Sequence, residues 1–386
     1  GQIFGAGSQT TIAVFVGVKD PNKTGFNLHY VQTPDGATRD EKLEIVENSN
    51  VEYLDWQEIV PNKEGDWLNQ RSEEFENWPA ISVKNGAATR IFEVYSRGLS
   101  TARDGWAYAH TDGQLLSKLG VLTGTYTEAT ALLHKWLADQ GNTKPKEQDV
   151  TAFLRVHPQY ADTTKASWNR TLKNLAAKDT EILVQPDRVF GSLYRPFTKQ
   201  RAYFEQSLND MTYKLPVMFP TPEHRNIGFV LTGSASHYDF GLIATDLLPN
   251  LHTLDTGQFF PRFTWAAVEA DDGGLFGEGG VVKQGEASVY GSIGEVIDGY
   301  VRVDNITDEI KALYRDALGA DITGDDIFHF VYGKLHDPDY RTKYAADLKK
   351  MLPHIETPSS RAEFDKFAAA GQELMSLHVN YETVEP

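Results

Sequence analysis

No cysteine occurs among the 386 residues, which excludes disulfides, thiolate metal sites and cysteine nucleophiles. No apolar run approaches the ~20 residues needed to cross a bilayer, and no basic-then-apolar leader opens the chain. A cytoplasmic location of the bacterial type, without a membrane partner, is the expectation. Positive charge is scarce too: 37 Lys and Arg face 54 Asp and Glu, a formal net charge of −17. So acidic a surface repels phosphates at long range and argues against a protein coated all over by nucleic acid.

The motifs of several enzyme classes are also missing. A glycine-rich turn that lets a backbone approach a cofactor follows a strand, but GQIFGAG (1–7) precedes one. GEGGVVKQG (277–285) lacks the Gly-Lys-Ser/Thr ending of a phosphate-binding loop. Gly233-Ser234-Ala235-Ser236-His237 lacks the second glycine of a serine-hydrolase elbow. The best metal candidate pairs His329 and His336 with Asp325, Asp326, Asp337 and Asp339. Seven residues separate the histidines, roughly 10 Å along one helix face, too far for one ion unless the loop bends back. A capped helix followed by a proline-started one explains the same acids. No catalytic, cofactor or metal residue is assigned; a metal-dependent hydrolase stands as the remotest alternative.

What is present is an ordinary globular composition, 40% hydrophobic and 24% charged, long enough for two or three domains. Charge is uneven. Residues 165–204 hold eight cations against three acids, which leaves −22 on the rest. Within that stretch GSLYRPFTKQRAYF (191–204) mixes Arg195, Lys199 and Arg201 with four aromatics. Pro196 has no N–H to donate, so a strand through it must lie at an edge or stop there. Beyond it, alternation sets Phe197, Lys199, Arg201 and Tyr203 on one side. Such a stripe serves equally as a grip on phosphate or as a core strand whose cations make internal ion pairs.

TTIAVFVGVK (10–19) is apolar throughout, as in a strand buried on both faces, and FNLHYVQ (26–32) alternates; together they read as a hairpin. Little precedes so buried a strand to flank it. Its neighbours come either from later in the chain or from a longer parent of which this is a fragment. Thr38-Arg39-Asp40-Glu41 opens a short helix through about Asn48, and 60–78 is turn-rich, ending in an acidic helix. Residues 91–110 read as strand, glycine turn, loop and strand. Helices follow over 113–178, short strands over 181–302 with a glycine- and acid-rich loop at 269–280, and helices again from 305. Thr323 caps one of these, and Asp337-Pro338 starts the next.

Several stretches resemble one family. YRPFTKQRAYF (194–204), TDLLPNLHTLDTGQFFPRFTW (245–265), NITDEIKALYRDALG (305–319), DDIFHFVYGKLHDPDYRTKYAADLKKMLPHI (325–355) and FAAAGQELMSLHVNYE (367–382) resemble the C-terminal part of type ISP restriction-modification enzymes. IFGAGSQTTIAVFVGVKDP (3–21), TRDEKLEIV (38–46), PNKEGDWLNQRSEEF (61–75) and YSRGLSTARDGWAY (95–108) resemble the end of that family's methyltransferase region and its junction with the recognition domain. The resemblance implies an α/β to α+β chain. Residues 1–100 would hold the closing hairpin of a doubly wound methyltransferase sheet and the junction. Residues 101–386 would form a mixed α+β target-recognition domain flanked by helices. The family's cofactor turn and its Asn-Pro-Pro-Tyr clamp are absent, so this fragment should bind without catalysing. S-adenosylmethionine, Mg and ATP would belong to the parent. The implied partners are double-stranded DNA and the parent's methyltransferase, ATPase and nuclease domains. The alternative is a docking module for those domains.

A target sequence differs between members, so its readers should not sit in shared motifs. The polar loops 206–226 and 232–240 are the better candidates, through Lys214, His224, Arg225 and His237. Lys199 and Arg201 are candidates for phosphate, with Arg195 the structural member of the stripe. Arg97 and Arg103 fall near the expected junction, where they serve DNA or interdomain salt bridges.

Overall fold

The computed structural model describes residues 13–84, 89–234, 236–268 and 286–384. The opening glycine turn, the loop at 269–280 and the 277–285 motif lie outside them. Contacts divide the chain into two compact units, 1–72 and 73–386.

In the smaller unit, β1 (Leu28–Tyr30) pairs antiparallel with β2 (Gln57–Ile59), and α1 (Arg39–Asn48) lies between them in sequence. Thr38 and Glu41 close the expected capping box on α1. The expected hairpin of 10–19 with 26–32 is not what forms. Residues 13–19 carry no strand, and Val14, Phe15, Val16 and Val18 are 73–91% exposed. Apolar content marks a segment as fit for burial but does not choose its partner, and the partner that β1 has among the described residues is β2.

The larger unit begins with β3 (Ser96–Arg97), α2 (Asp104–Ala107) and β4 (Tyr108–Ala109). Helices α3 (Asp112–Asp139), α4 (Glu147–Val156) and α5 (Arg170–Ala177) follow. Then come β5 (Val189–Arg195), β6 (Thr198–Tyr203), β7 (Gly228–Leu231), β8 (Leu242–Thr245), β9 (Leu248–Pro249), β10 (Gln258–Pro261), β11 (Phe263–Ala267), β12 (Val296–Ile297) and β13 (Tyr300–Asp304). The unit closes with α6 (Asp308–Leu318), α7 (Gly324–His336), α8 (Pro338–Lys343), α9 (Ala345–Lys350) and α10 (Arg361–Val379). This is an α+β arrangement. Its strands form three small sheets, ordered β3-β10-β7-β8, β11-β13-β12 and β4-β6-β5-β9, antiparallel except for β5 beside β9. Residues 73–100 belong by contact to this unit. The acidic helix expected at the end of 60–78 reduces to one 3₁₀ turn, Phe75–Asn77.

Three cores hold it together. One packs the sheet of β7, β8 and β10 against α6 to α10, with α7 at its centre. Gly333 of α7 and Gly371 of α10 let these helices touch backbone to backbone, since a Cβ at either would overlap a carbonyl of the other. The second gathers the apolar faces of α3, α4 and α5 over Val189 and Tyr203. Phe190, Ala202 and Phe204 point the other way into the third, so the β5–β6 hairpin is a wall between two cores.

Candidate nucleic-acid interface

The stretch that mixes cations and rings is this hairpin. Pro196 and Phe197 form its turn, with Phe197 at φ +55°, and the strands separate at the proline as its missing N–H requires. Arg195 is tied inward. Its Nη1 donates to the Tyr194 carbonyl at 2.7 Å and to Asn250 Oδ1 at 3.0 Å, and its guanidinium stacks 4.0 Å from the Tyr194 ring centre. Asp104 lies 3.6 Å away. Lys199 Nζ donates to Glu382 Oε2 at 2.9 Å beside the Tyr381 ring. Arg201 pairs with Asp112 in the first turn of α3. The rings are occupied as well, Phe197 meeting His378 and Tyr381 edge to face.

Two candidates are corrected by burial. His224 is 1% exposed, held by Thr221 Oγ1 at 2.8 Å and the Ile297 carbonyl at 2.9 Å, between the rings of Trp265 and Tyr300. It is a core histidine and does not face a groove. Arg103 is 5% exposed, with Nη2 on Asn169 Oδ1, so it reaches no base edge. A polar loop composition hid the first and a junction position the second, because burial is decided by residues remote in sequence.

Arg97, Lys214 and His237 share one end of a sheet. Arg97 pairs with Gln258 and Gln258 with Leu231, so the loops following β3 and β7 and preceding β10 leave from the same end. Gly98 makes this possible: a Cβ there would overlap the Asn250 backbone, and the Leu99 N–H donates to the Pro249 carbonyl at 2.8 Å. The Lys214 N–H donates to Ser96 Oγ at 3.1 Å, which brings the 211–214 loop alongside. Arg97 lies 5.9 Å from the ring centre of Tyr213, itself at φ +48°. Both Arg97 and Lys214 are exposed and make no ion pair among the described residues. Arg225 is exposed too, but beside Gly228, at the opposite end of β7.

Asp255 shapes the second loop. It accepts from the His237 N–H at 3.0 Å and lies 3.3 Å from His237 Nδ1, while the Gly233 N–H donates to its carbonyl at 3.2 Å. The His237 N–H, first, holds the Asp255 carboxyl below its usual range. This leaves His237 and Tyr238 outward, Tyr238 72% exposed. Tyr213, Tyr238 and Asp255 were not singled out from the sequence. Asp255 could have been, as an acid in an Asp-Thr-Gly turn within a polar-loop neighbourhood.

Around α7 the acids are committed. Asp325 binds Arg262, Ser288 and the Val289 N–H; Asp326 caps α7 with Thr323; Asp337 caps α8 and pairs with Lys334. His329 Nε2 lies 2.7 Å from the Tyr290 hydroxyl. Among the described residues no three His, Asp or Glu are grouped to hold a metal, and no helix is long and apolar enough to cross a membrane.

Residues 90–386 match the family described as the Type ISP C-terminal specificity domain. The fold is similar to a nuclease-deletion mutant of the Type ISP restriction-modification enzyme LlaGI in complex with a DNA substrate mimic. That likeness has TM-score 0.73 and 27% identity over 94% of this chain and 29% of the other. It is similar to a DrdV–DNA complex at TM-score 0.70 and 28% identity, over 93% and 31%. LlaBIII, an ATP-dependent Type ISP restriction-modification enzyme bound to DNA, shares the fold at TM-score 0.65 and 24% identity, over 86% and 18%. No curated protein matches the chain. The chain thus spans less than a third of each of these three proteins. With more than half its length matched, it belongs to the Type ISP C-terminal specificity domain family.

Proposed function

We propose that this chain reads a DNA sequence on behalf of a restriction-modification polypeptide that methylates adenine and cleaves DNA. The observation that carries the reading is the meeting of Arg97 and Lys214, without an ion pair among the described residues, with two polar loops at one end of a sheet. Family membership, and two relatives solved with DNA, support it. Arginine is suited to guanine N7 and O6, lysine to phosphate, and an exposed tyrosine to a sugar or base face. His237 and Tyr238 lie on a loop whose shape Asp255 sets, which suits discrimination between bases.

On this reading the parent's methyltransferase, ATPase and nuclease lie elsewhere in a longer polypeptide in the cytoplasm. S-adenosylmethionine, ATP and Mg act there, since the turns and clamps that bind them are not in this sequence. The docking role falls to one segment. Val14, Phe15, Val16 and Val18 are exposed, and they supply the apolar edge that would close the methyltransferase sheet of the parent.

Selection of bound duplexes from a randomised pool tests the reading, and the enriched sequences should converge on one motif. Arg97→Ala should weaken binding to that motif about tenfold or more and relax one of its positions. Lys214→Ala should weaken all sequences alike and lower the salt slope by about one. Enrichment of no motif, with both variants binding as the native chain does, would sink it.

A further inference from the structure

Three buried arginines invite comparison. Arg262, 0% exposed, has Asp304 and Asp325; Arg302, 5% exposed, has Glu295. Arg103, equally buried at 5%, has no carboxylate among the described residues. Its backbone N–H donates to Thr101 Oγ1 at 3.0 Å and its Nη2 to Asn169 Oδ1, but Nε and Nη1 have no acceptor among the described residues. Asp104, the next residue, is turned to Thr101 and Arg195. Burial pushes the guanidinium down to about 10, with the more distant charge of Asp210 opposing it. A buried charge without a counter-ion is unfavourable unless an anion completes it.

The group that Arg103 touches is a helix cap. Asn169 Oδ1 also accepts the Leu172 N–H at 2.9 Å, and Asn169 Nδ2 is buried without a partner among the described residues. The N–H groups of Arg170 and Thr171, at the first two positions of α5, have no helical carbonyl ahead of them, so the positive end of the helix dipole opens here. Arg170 is exposed at the same place, 4.0 Å from Glu147. In a chain of net charge −17 this point gathers positive charge of three kinds against one nearby acid, Glu147, which Lys173 shares at 3.8 Å.

We propose that the N-terminus of α5, backed by Arg103, seats a phosphate of the DNA backbone. The inference rests on the DNA-reading function above. The phosphate oxygens meet the Arg170 and Thr171 N–H groups and the Arg170 side chain at the surface, while Arg103 acts from behind through Asn169. A backbone contact carries no base information. It fixes the register in which Arg97 and the two loops face the groove.

Asn169→Asp tests this without removing the cap, because aspartate caps a helix as well as asparagine does. It places a carboxylate against Arg103 and so supplies from within the charge that phosphate would supply from outside. The variant should melt higher than the native chain, bind a mixed-sequence duplex about tenfold more weakly at low salt, and show a salt slope smaller by about one. Arg103→Lys, which keeps the charge but loses the fork, should weaken duplex binding to a lesser degree. If Asn169→Asp raises the melting temperature while its duplex binding and salt slope match the native chain's, the inference is overturned. Inorganic phosphate that stabilises the native chain but not Asn169→Asp, with duplex binding equal in both, would overturn the DNA assignment in favour of a free phosphate. Loss of binding in Arg97→Ala and Lys214→Ala but not in Asn169→Asp would fail this inference alone. A native chain that binds no duplex would fail the function it rests on.

Discussion

Lys199 Nζ lies 2.9 Å from Glu382 Oε2, a carboxylate 183 residues later in the chain. The cation that alternation sets on a bare stripe is therefore covered by the segment that follows α10, and its neighbour Arg201 is covered in the same way by Asp112. Charges neutralised inside the chain release few counterions when DNA arrives. Lys199→Ala and Arg201→Ala should leave the salt slope of duplex binding unchanged. Each pair is partly exposed, so each loss should cost less than about 1 kcal/mol in denaturant unfolding. A slope reduced by one in either variant would return the stripe to the phosphate-gripping group.

Arg195 differs from its neighbours because one of its partners is buried. Asn250 is 1% exposed, and its Oδ1 accepts from Arg195 Nη1 as well as from the His252 N–H. Its Nδ2 donates to the Tyr108 hydroxyl, which links the hairpin to β4. Arg195→Ala removes the fork and the stacking on Tyr194 together. It should destabilise the chain by roughly 1–3 kcal/mol, read from the shift of the denaturant midpoint at constant m. DNA affinity of the folded protein should not change, and an unshifted midpoint would show that the fork is idle.

Three histidines around α7 and α10 make stability depend on pH. Burial pushes His336 down to about 4, with the nearby charges of His378 and Arg341 adding to the effect. Burial lowers His378 and His329 as well. The unfolded chain, with histidines near 6.5, then binds more protons than the folded one between about pH 4 and 6.5. Stability is complete above 6.5 and falls as the pH drops toward 4, by up to ~1.4 kcal/mol per pH unit from His336, with His378 and His329 acting in the same direction. Denaturant unfolding of native chain and His336→Gln across this window checks it; the variant should show the shallower slope. Equal slopes would place the dependence on other groups.

Local chemistry was legible in the sequence wherever both partners lie within a few residues. The boxes of Thr38 with Glu41 and Thr323 with Asp326, and the Asp337-Pro338 start, form as their spacing demands. So does the alternation after Pro196, with Tyr203 and Ala202 entering different cores. What failed was pairing at a distance. Nothing near Leu28 names Gln57–Ile59 as its partner strand, and nothing near His224 announces Trp265 and Tyr300 as its walls. The proposed interface falls between these cases. Its loops were recognisable from Asn, Ser, His and Lys content, but their common location depends on Arg97, Gln258 and Leu231 falling in one row of a sheet.

The backbone contact of Gly333 with Gly371 turns α10 into a ruler. With no side chain between them, α7 and α10 have no cushion to slide on, so Gly371 serves as a zero mark. Seven residues on, about 10 Å at 1.5 Å per residue, His378 meets the turn of the hairpin through Phe197. The helical rise from that mark thereby sets where α10 meets the half-exposed tip of the hairpin.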